Sequence, residues 1–144
     1  DTPVVLVLFG DHKPWMGNGG SVYEEMGIDF DTTTLAGFRN YYATPYLIWA
    51  NRAAKEVLGA DFTGDGGDFS PCFLMTRLFD ACGWAGPGYM QLSRAMRDIS
   101  PLLHTNGLFL HDGVLTSVLS DTDRSFYRSW LAVQYYREHV AAYS

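Results

Sequence analysis

Two side chains able to hold a metal stand next to each other where an apolar run ends: Asp11 and His12, within VVLVLFGDHKPWMG, Val4 to Gly17. A carboxylate oxygen paired with an imidazole nitrogen suits Mn²⁺ or Zn²⁺ better than a hard ion bound by oxygen alone. Neighbours on a strand point to opposite faces, so joint ligation requires the chain to turn at Gly10, a residue that permits it. In open α/β sheets ligands gather beyond the carboxyl ends of strands, which is where this pair falls. The other reading has Asp11 capping the loop and His12 as an ordinary polar residue. Two ligands also leave a site incomplete, since divalent ions take about four to six or more. Lys13 follows directly, either as a charge offered to a phosphate or as a solvated loop lysine. Trp15, two residues on, is a candidate substrate contact or a packing residue.

Other chemistry-bearing stretches read more simply. Asp61, Asp65 and Asp68 in DFTGDGGD invite a Ca²⁺ site, but their spacing is not that of an EF-hand, and a turn-rich loop leading into the next helix accounts for them. His111-Asp112-Gly113 reverses the order of the first pair, yet Asp-Gly is foremost a hairpin turn. His104 and His139 stand alone, the latter near a helix C-terminus where a positive charge favours the dipole. Tyr41, Tyr42, Tyr46, Trp49, Tyr135 and Tyr136 fit core and rim packing.

The elements that must position these residues follow from patterning. Residues 2–9 are rich in Val and Leu without polar alternation, as in a strand covered on both faces. A loop follows over 13–20, then a short helix from Ser21 to Met26, with Ser21 and Glu24 as a capping box. Asp31-Thr-Thr-Thr34 opens a second helix that Pro45 stops. PYLIWA reads as a second buried strand and NRAAKEVLG as a helix closed by Gly59. Ser70-Pro71 opens a helix with Phe73, Leu74, Leu78, Phe79 and Cys82 on its inner face. A further helix covers 89–99, a hairpin centres on Asp112-Gly113, and a last helix capped by Asp121 or Thr122 runs to about Val140. The strand–helix–strand–helix order favours α/β. Two convincing strands are too few for an independent parallel sheet, so the sheet is expected to be incomplete.

Composition narrows the function classes. With 144 residues, 47% hydrophobic and 18% charged, the chain can bury a core and is no disordered tail. A net charge of −6 with only ten Lys and Arg, scattered along the chain, argues against nucleic-acid binding. The longest apolar run is too short to span a bilayer. The chain opens Asp-Thr-Pro without an initiator Met and enters a strand almost at once, which reads as a segment of a longer protein. Cys72 and Cys82, ten apart on one helix, are about 15 Å distant and beyond disulfide reach; they read as free thiols packed as small hydrophobes.

PVVLVLFGDHKPWMG, YYATPYLIWAN and DFSPCFLMTRLFDACGW, in that order and spacing, resemble the C-terminal third of the sulfatase-like catalytic domain of the alkaline phosphatase superfamily. The nearest branch is the lipoteichoic acid synthase family of phosphoglycerol transferases. The resemblance covers about residues 3–84, with 85–144 a helical C-terminal extension in which GLFLHDG and QYY are weaker echoes. It implies an α/β/α sandwich of which this chain holds the C-terminal portion. It also implies one divalent metal, Mn²⁺ favoured and Zn²⁺, Mg²⁺ or Ca²⁺ as alternatives, with Asp11 and His12 among its ligands. The family's Thr or Ser nucleophile, a further acidic ligand and the substrate-binding His, Arg and Trp of its middle region have no counterpart in this sequence. DHKPWMG departs from the Asp-His-Gly-Glu of many sulfatases and phosphoethanolamine transferases and favours the synthase-like branch. The implied activity is transfer or hydrolysis of phosphate or sulfate esters of cell-envelope glycolipids at the extracellular face of a bacterial membrane. The implied partners are the rest of the catalytic domain and the ester substrate. A sulfatase or phosphodiesterase of another substrate class, and a non-catalytic binding or assembly domain keeping the fold, are the alternatives. Without nucleophile or full metal shell the isolated segment is expected to be inactive, and its truncated sheet to favour self-association.

Overall fold

The computed structural model describes residues 1–140; residues 141–144, the end of the expected helical extension, lie outside the described residues. The fold is mixed α/β with two small antiparallel sheets. The chain divides into two compact units, Asp1–Gly64 and Asp65–Ser144, and the boundary falls in the Gly- and Asp-rich loop. Among the described residues no helix is long and apolar enough to cross a membrane.

In the first unit, β1 (Val5–Phe9) pairs antiparallel with β2 (Tyr46–Ala50), Leu6 opposite Trp49 and Leu8 opposite Leu47. Between them lie a 3₁₀ turn (Asn18–Gly20), α1 (Ser21–Glu25) and α2 (Leu35–Tyr42), and α3 (Arg52–Leu58) follows β2. The expectation that both strands are covered on two faces is corrected. Val5, Val7, Tyr46 and Ile48 are half-buried and Ala50 is buried, whereas Leu6, Leu8, Leu47 and Trp49 are 45–53% exposed. An unbroken apolar run signals burial only where something stands on each face, and here the second face is open. Helix ends follow local chemistry. Thr34 caps α2 by accepting from the Gly37 N–H at 3.0 Å, and Asn51 caps α3 from Ala54 at 2.9 Å. Gly59 closes α3 in the left-handed conformation that glycine tolerates. Ser21 does not cap α1; it lies inside that helix, whose N-cap is Gly20.

The second unit holds a 3₁₀ turn (Pro71–Phe73) running into α4 (Leu74–Ala81), then α5 (Gly88–Ile99), β3 (Phe109–His111), β4 (Val114–Thr116) and α6 (Asp121–His139). Its core is Phe73, Met96 and Trp130, with Phe69, Leu92, Ile99, Leu103, Phe126 and Tyr127 packed around them. The Trp130 indole N–H reaches Ser93 Oγ at 3.0 Å, so this large buried ring leaves no orphan donor. The expected hairpin forms at Asp112 and Gly113, with φ of 50° and 77° as a type I′ turn requires. Two caps differ from expectation. Ser70 makes no cap bond; its hydroxyl donates to the Leu103 carbonyl at 3.0 Å and accepts from the Leu103 N–H at 2.8 Å, joining the start of the helical stretch to the segment before β3. Ser120, not Asp121 or Thr122, caps α6 by accepting from Asp123 at 3.1 Å. Asp80 on α4 takes Arg94 Nε and Arg97 of α5, each at 2.6 Å. Burial alone would raise the Asp80 pKa, but the Arg97 and Arg94 hydrogen bonds outweigh it and hold the carboxyl below its ordinary value.

Candidate metal-binding pair at the end of the first strand

β1 ends by being tied to the start of β2. The Gly10 N–H donates to the Pro45 carbonyl at 3.0 Å, and the Thr44 hydroxyl donates to the Gly10 carbonyl at 2.7 Å. A Cβ on Gly10 would stand 3.0 Å from Thr44 Cβ, so the close approach favours glycine. From that fixed point the chain turns and brings two adjacent side chains to one side. Asp11 Oδ2 and His12 Nε2 face each other at 3.6 Å, both side chains about four-fifths exposed.

Each residue commits one polar atom to the backbone and presents the other. Asp11 Oδ1 accepts the His12 N–H at 2.8 Å, leaving Oδ2. His12 Nδ1 lies 3.1 Å from the Lys13 carbonyl. A carbonyl can only accept, so Nδ1 carries the hydrogen and Nε2 of the neutral ring is a lone pair, the arrangement common in metal-ligating histidines. An unprotonated nitrogen facing a carboxylate oxygen repels it unless a cation, a proton or a metal ion, lies between. Ligand bonds of about 2.0–2.2 Å at a tetrahedral angle would place nitrogen and oxygen about 3.4 Å apart, close to the observed separation. A tetrahedral borderline divalent ion could take two of its four ligands from a pair so spaced. Among the described residues no group of three or more His, Cys, Asp or Glu converges on a common point.

The residues flanking the pair hold its loop. The Lys13 ammonium donates to the carbonyl of Asn40 in the last turn of α2; it does not project freely beside the pair as a phosphate contact would. Trp15 is 57% exposed and meets the Tyr41 ring edge-on at 5.9 Å, while the Tyr23 hydroxyl donates to the Pro14 carbonyl at 2.5 Å. Asn40, Tyr41 and Tyr23 are supports that no sequence motif announces, because each acts across a gap in the chain.

The second pair shows how readily local adjacency yields such geometry. His111 Nδ1 lies 3.1 Å from the Ile99 carbonyl and Nε2 lies 3.7 Å from Asp112 Oδ2. Here the hairpin turn sets Asp112 beside His111, whose ring is held by the end of α5. The acidic loop is likewise built of turns: Asp61 accepts from Thr63 at 3.1 Å and Asp65 from Gly67 at 2.9 Å, and the bonds from Thr63 hold the Asp61 carboxyl below its ordinary value. Of the two free cysteines Cys82 is buried as expected, whereas Cys72 is exposed. Desolvation by neighbouring protein still pushes the Cys72 thiol up to about 11, so neither is a thiolate nucleophile at neutral pH. An open cavity of about 320 Å³ in the second unit is lined by Arg77, Arg97, Asp68 and Asp98 among others; its mixed charge selects no single ligand class. No protein-family model, curated protein or solved structure matches the chain.

Proposed function

We propose that this chain contributes Asp11 and His12 to the metal centre of a larger phosphoglycerol-transferase or sulfatase-like catalytic domain acting on phosphate or sulfate esters of cell-envelope glycolipids, outside a bacterial membrane. The observation that carries the reading is the place of the pair: His12 Nε2 and Asp11 Oδ2 face each other at 3.6 Å on exposed side chains just beyond the carboxyl end of β1, after the turn at Gly10. The similarity of the Gly-Asp-His, Tyr-x-x-Pro and Asp-x-x-Pro segments to that family supplies the substrate class. A divalent ion at the pair, Mn²⁺ in first place, would lower the pKa of an attacking hydroxyl and neutralise charge on the phosphoryl or sulfuryl oxygens. Asp11 adds the negative charge that holds such an ion, and His12 adds directionality through its fixed ring nitrogen. The nucleophile and the remaining ligands come from the rest of the catalytic domain.

The test is Mn²⁺ titration of the purified chain by electron paramagnetic resonance, with Zn²⁺ in competition. Binding at one site is expected, weakened about tenfold or more by His12→Ala and by Asp11→Asn, and unchanged by His111→Ala. Binding indifferent to both first-pair substitutions would sink the proposal. A phosphodiester incubated with the chain and Mn²⁺ is expected to stay intact. Hydrolysis abolished by His12→Ala would show instead that the chain is catalytically complete.

A further inference from the structure

We infer that Lys13 is a positioning residue for His12: by anchoring its ammonium on the C-terminal turn of α2, it holds its own backbone carbonyl where that carbonyl fixes the metal-binding tautomer of the neighbouring imidazole. The inference rests on the reading of Asp11 and His12 as metal ligands and departs from the expectation that Lys13 meets substrate. Its geometry is continuous. The His12 Nδ1–H points at the Lys13 carbonyl at 3.1 Å, and Lys13 Nζ donates to the Asn40 carbonyl. Asn40 lies in the last turn of α2, whose final carbonyls have no intrahelical partner and carry the negative end of the helix dipole. A lysine there satisfies an orphan acceptor and favours the dipole at once.

The anchor matters because little else restrains the ring. His12 is about four-fifths exposed, with one hydrogen bond to backbone and one facing carboxylate. Were the Lys13 backbone free to rotate, its carbonyl would leave Nδ1. The neutral imidazole would then exchange between tautomers, and Nε2 would carry a hydrogen part of the time, where it cannot ligate. Asn40 is itself fixed, since its side-chain amide donates to the Asp29 carbonyl at 2.9 Å. A side chain three residues beyond the end of β1 is thereby registered against α2 through Lys13, whose partner Asn40 lies 27 residues further along.

The test combines Mn²⁺ affinity with side-chain ¹⁵N shifts of His12 in the metal-free chain, which distinguish Nδ1–H from Nε2–H. The wild type is expected to show Nδ1–H. Lys13→Met should weaken Mn²⁺ binding about 10- to 100-fold, as loss of an outer-shell support does, and give mixed tautomers. Lys13→Arg, which can still donate to the carbonyl, should restore both. Should Lys13→Met fail to fold, acetylation of the folded Lys55→Arg protein neutralises Lys13 instead, because the chain has no third lysine. A wild-type Nε2–H tautomer, or neutralised Lys13 with unchanged tautomer and affinity, would overturn the inference. If His12→Ala leaves Mn²⁺ binding intact, the metal reading itself fails, while the tautomer in wild type and variant still judges Lys13.

Discussion

At the scale of single residues, the candidate site depends on atoms that point away from it. Asp11 and His12 have two polar atoms each, and the two engaged by backbone determine what the other two can do. The same dependence extends to Gly37, one turn into α2. A Cβ there would stand 2.1 Å from the Asp31 carbonyl oxygen, inside any allowed contact. Gly37→Ala must therefore push the 29–34 loop outward and break the Thr34 cap, whose oxygen accepts from Gly37 itself. The expected cost is about 2 kcal/mol from a lost cap plus overpacking, read by urea denaturation. Mn²⁺ affinity should fall with it, because α2 carries the acceptor for Lys13. Unchanged stability would mean that the loop has room to move that its close packing does not suggest.

At the scale of elements, α4 and α5 are joined by one carboxylate between two guanidiniums. The Asp80, Arg94 and Arg97 side chains are 17–27% exposed, so the network is worth more than a surface pair and less than a buried one, and Asp80→Ala should cost about 1–2 kcal/mol. Its pH dependence has a definite sign. The folded carboxyl titrates below the ordinary 3.8 of the unfolded chain. Its contribution is therefore complete above that value and is lost as pH falls through the folded pKa. Stability of the wild type should drop more steeply below about pH 4 than that of Asp80→Asn, in parallel acid titrations followed by circular dichroism; superimposable curves would contradict this. None of this network was legible in the sequence, since Asp80 finds Arg94 and Arg97 only when two helices pack. The Asp112-Gly113 hairpin and the Asn51 and Gly59 ends of α3 were legible because their causes lie within four residues. Ser70-Pro71 does open its helix as expected, but the Ser70 hydroxyl bonds Leu103 instead of capping, and the cap of α6 falls one residue before the expected Asp121. The Ser70 bond to Leu103 spans 33 residues, so only the fold reveals it. Of the candidate site, the adjacent Asp11 and His12 were readable as a motif, but the bond from Lys13 to Asn40 was not, since 27 residues separate its partners.

At the scale of the whole molecule, the sheet of the first unit is the exposed liability. Neither strand carries a charge between Val4 and Phe9 or between Tyr46 and Ala50, and Leu6, Leu8, Leu47 and Trp49 form an open apolar face. Two-stranded sheets are marginal alone, and an uncharged edge invites pairing. Concentration-dependent self-association is expected in light scattering, reduced by Leu8→Lys, which places a charge in the middle of that face. A wild type that stays a monodisperse monomer at every concentration would count against it.

The closeness of Asp11 to His12 along the chain has a consequence in linkage terms. Most metal centres gather ligands from distant segments, so the unfolded chain cannot chelate, and the full binding energy stabilises the native state. Neighbouring ligands need almost no loop closure, and the disordered chain keeps a competent, if floppy, chelate. If the pair binds metal as proposed, added metal raises the melting temperature only by the difference in affinity between the two states. On the proposed reading that difference is the part supplied by the turn at Gly10 and the anchor at Asn40, so the limiting thermal shift at saturating metal, rather than its slope with concentration, reads how well the fold organises the pair.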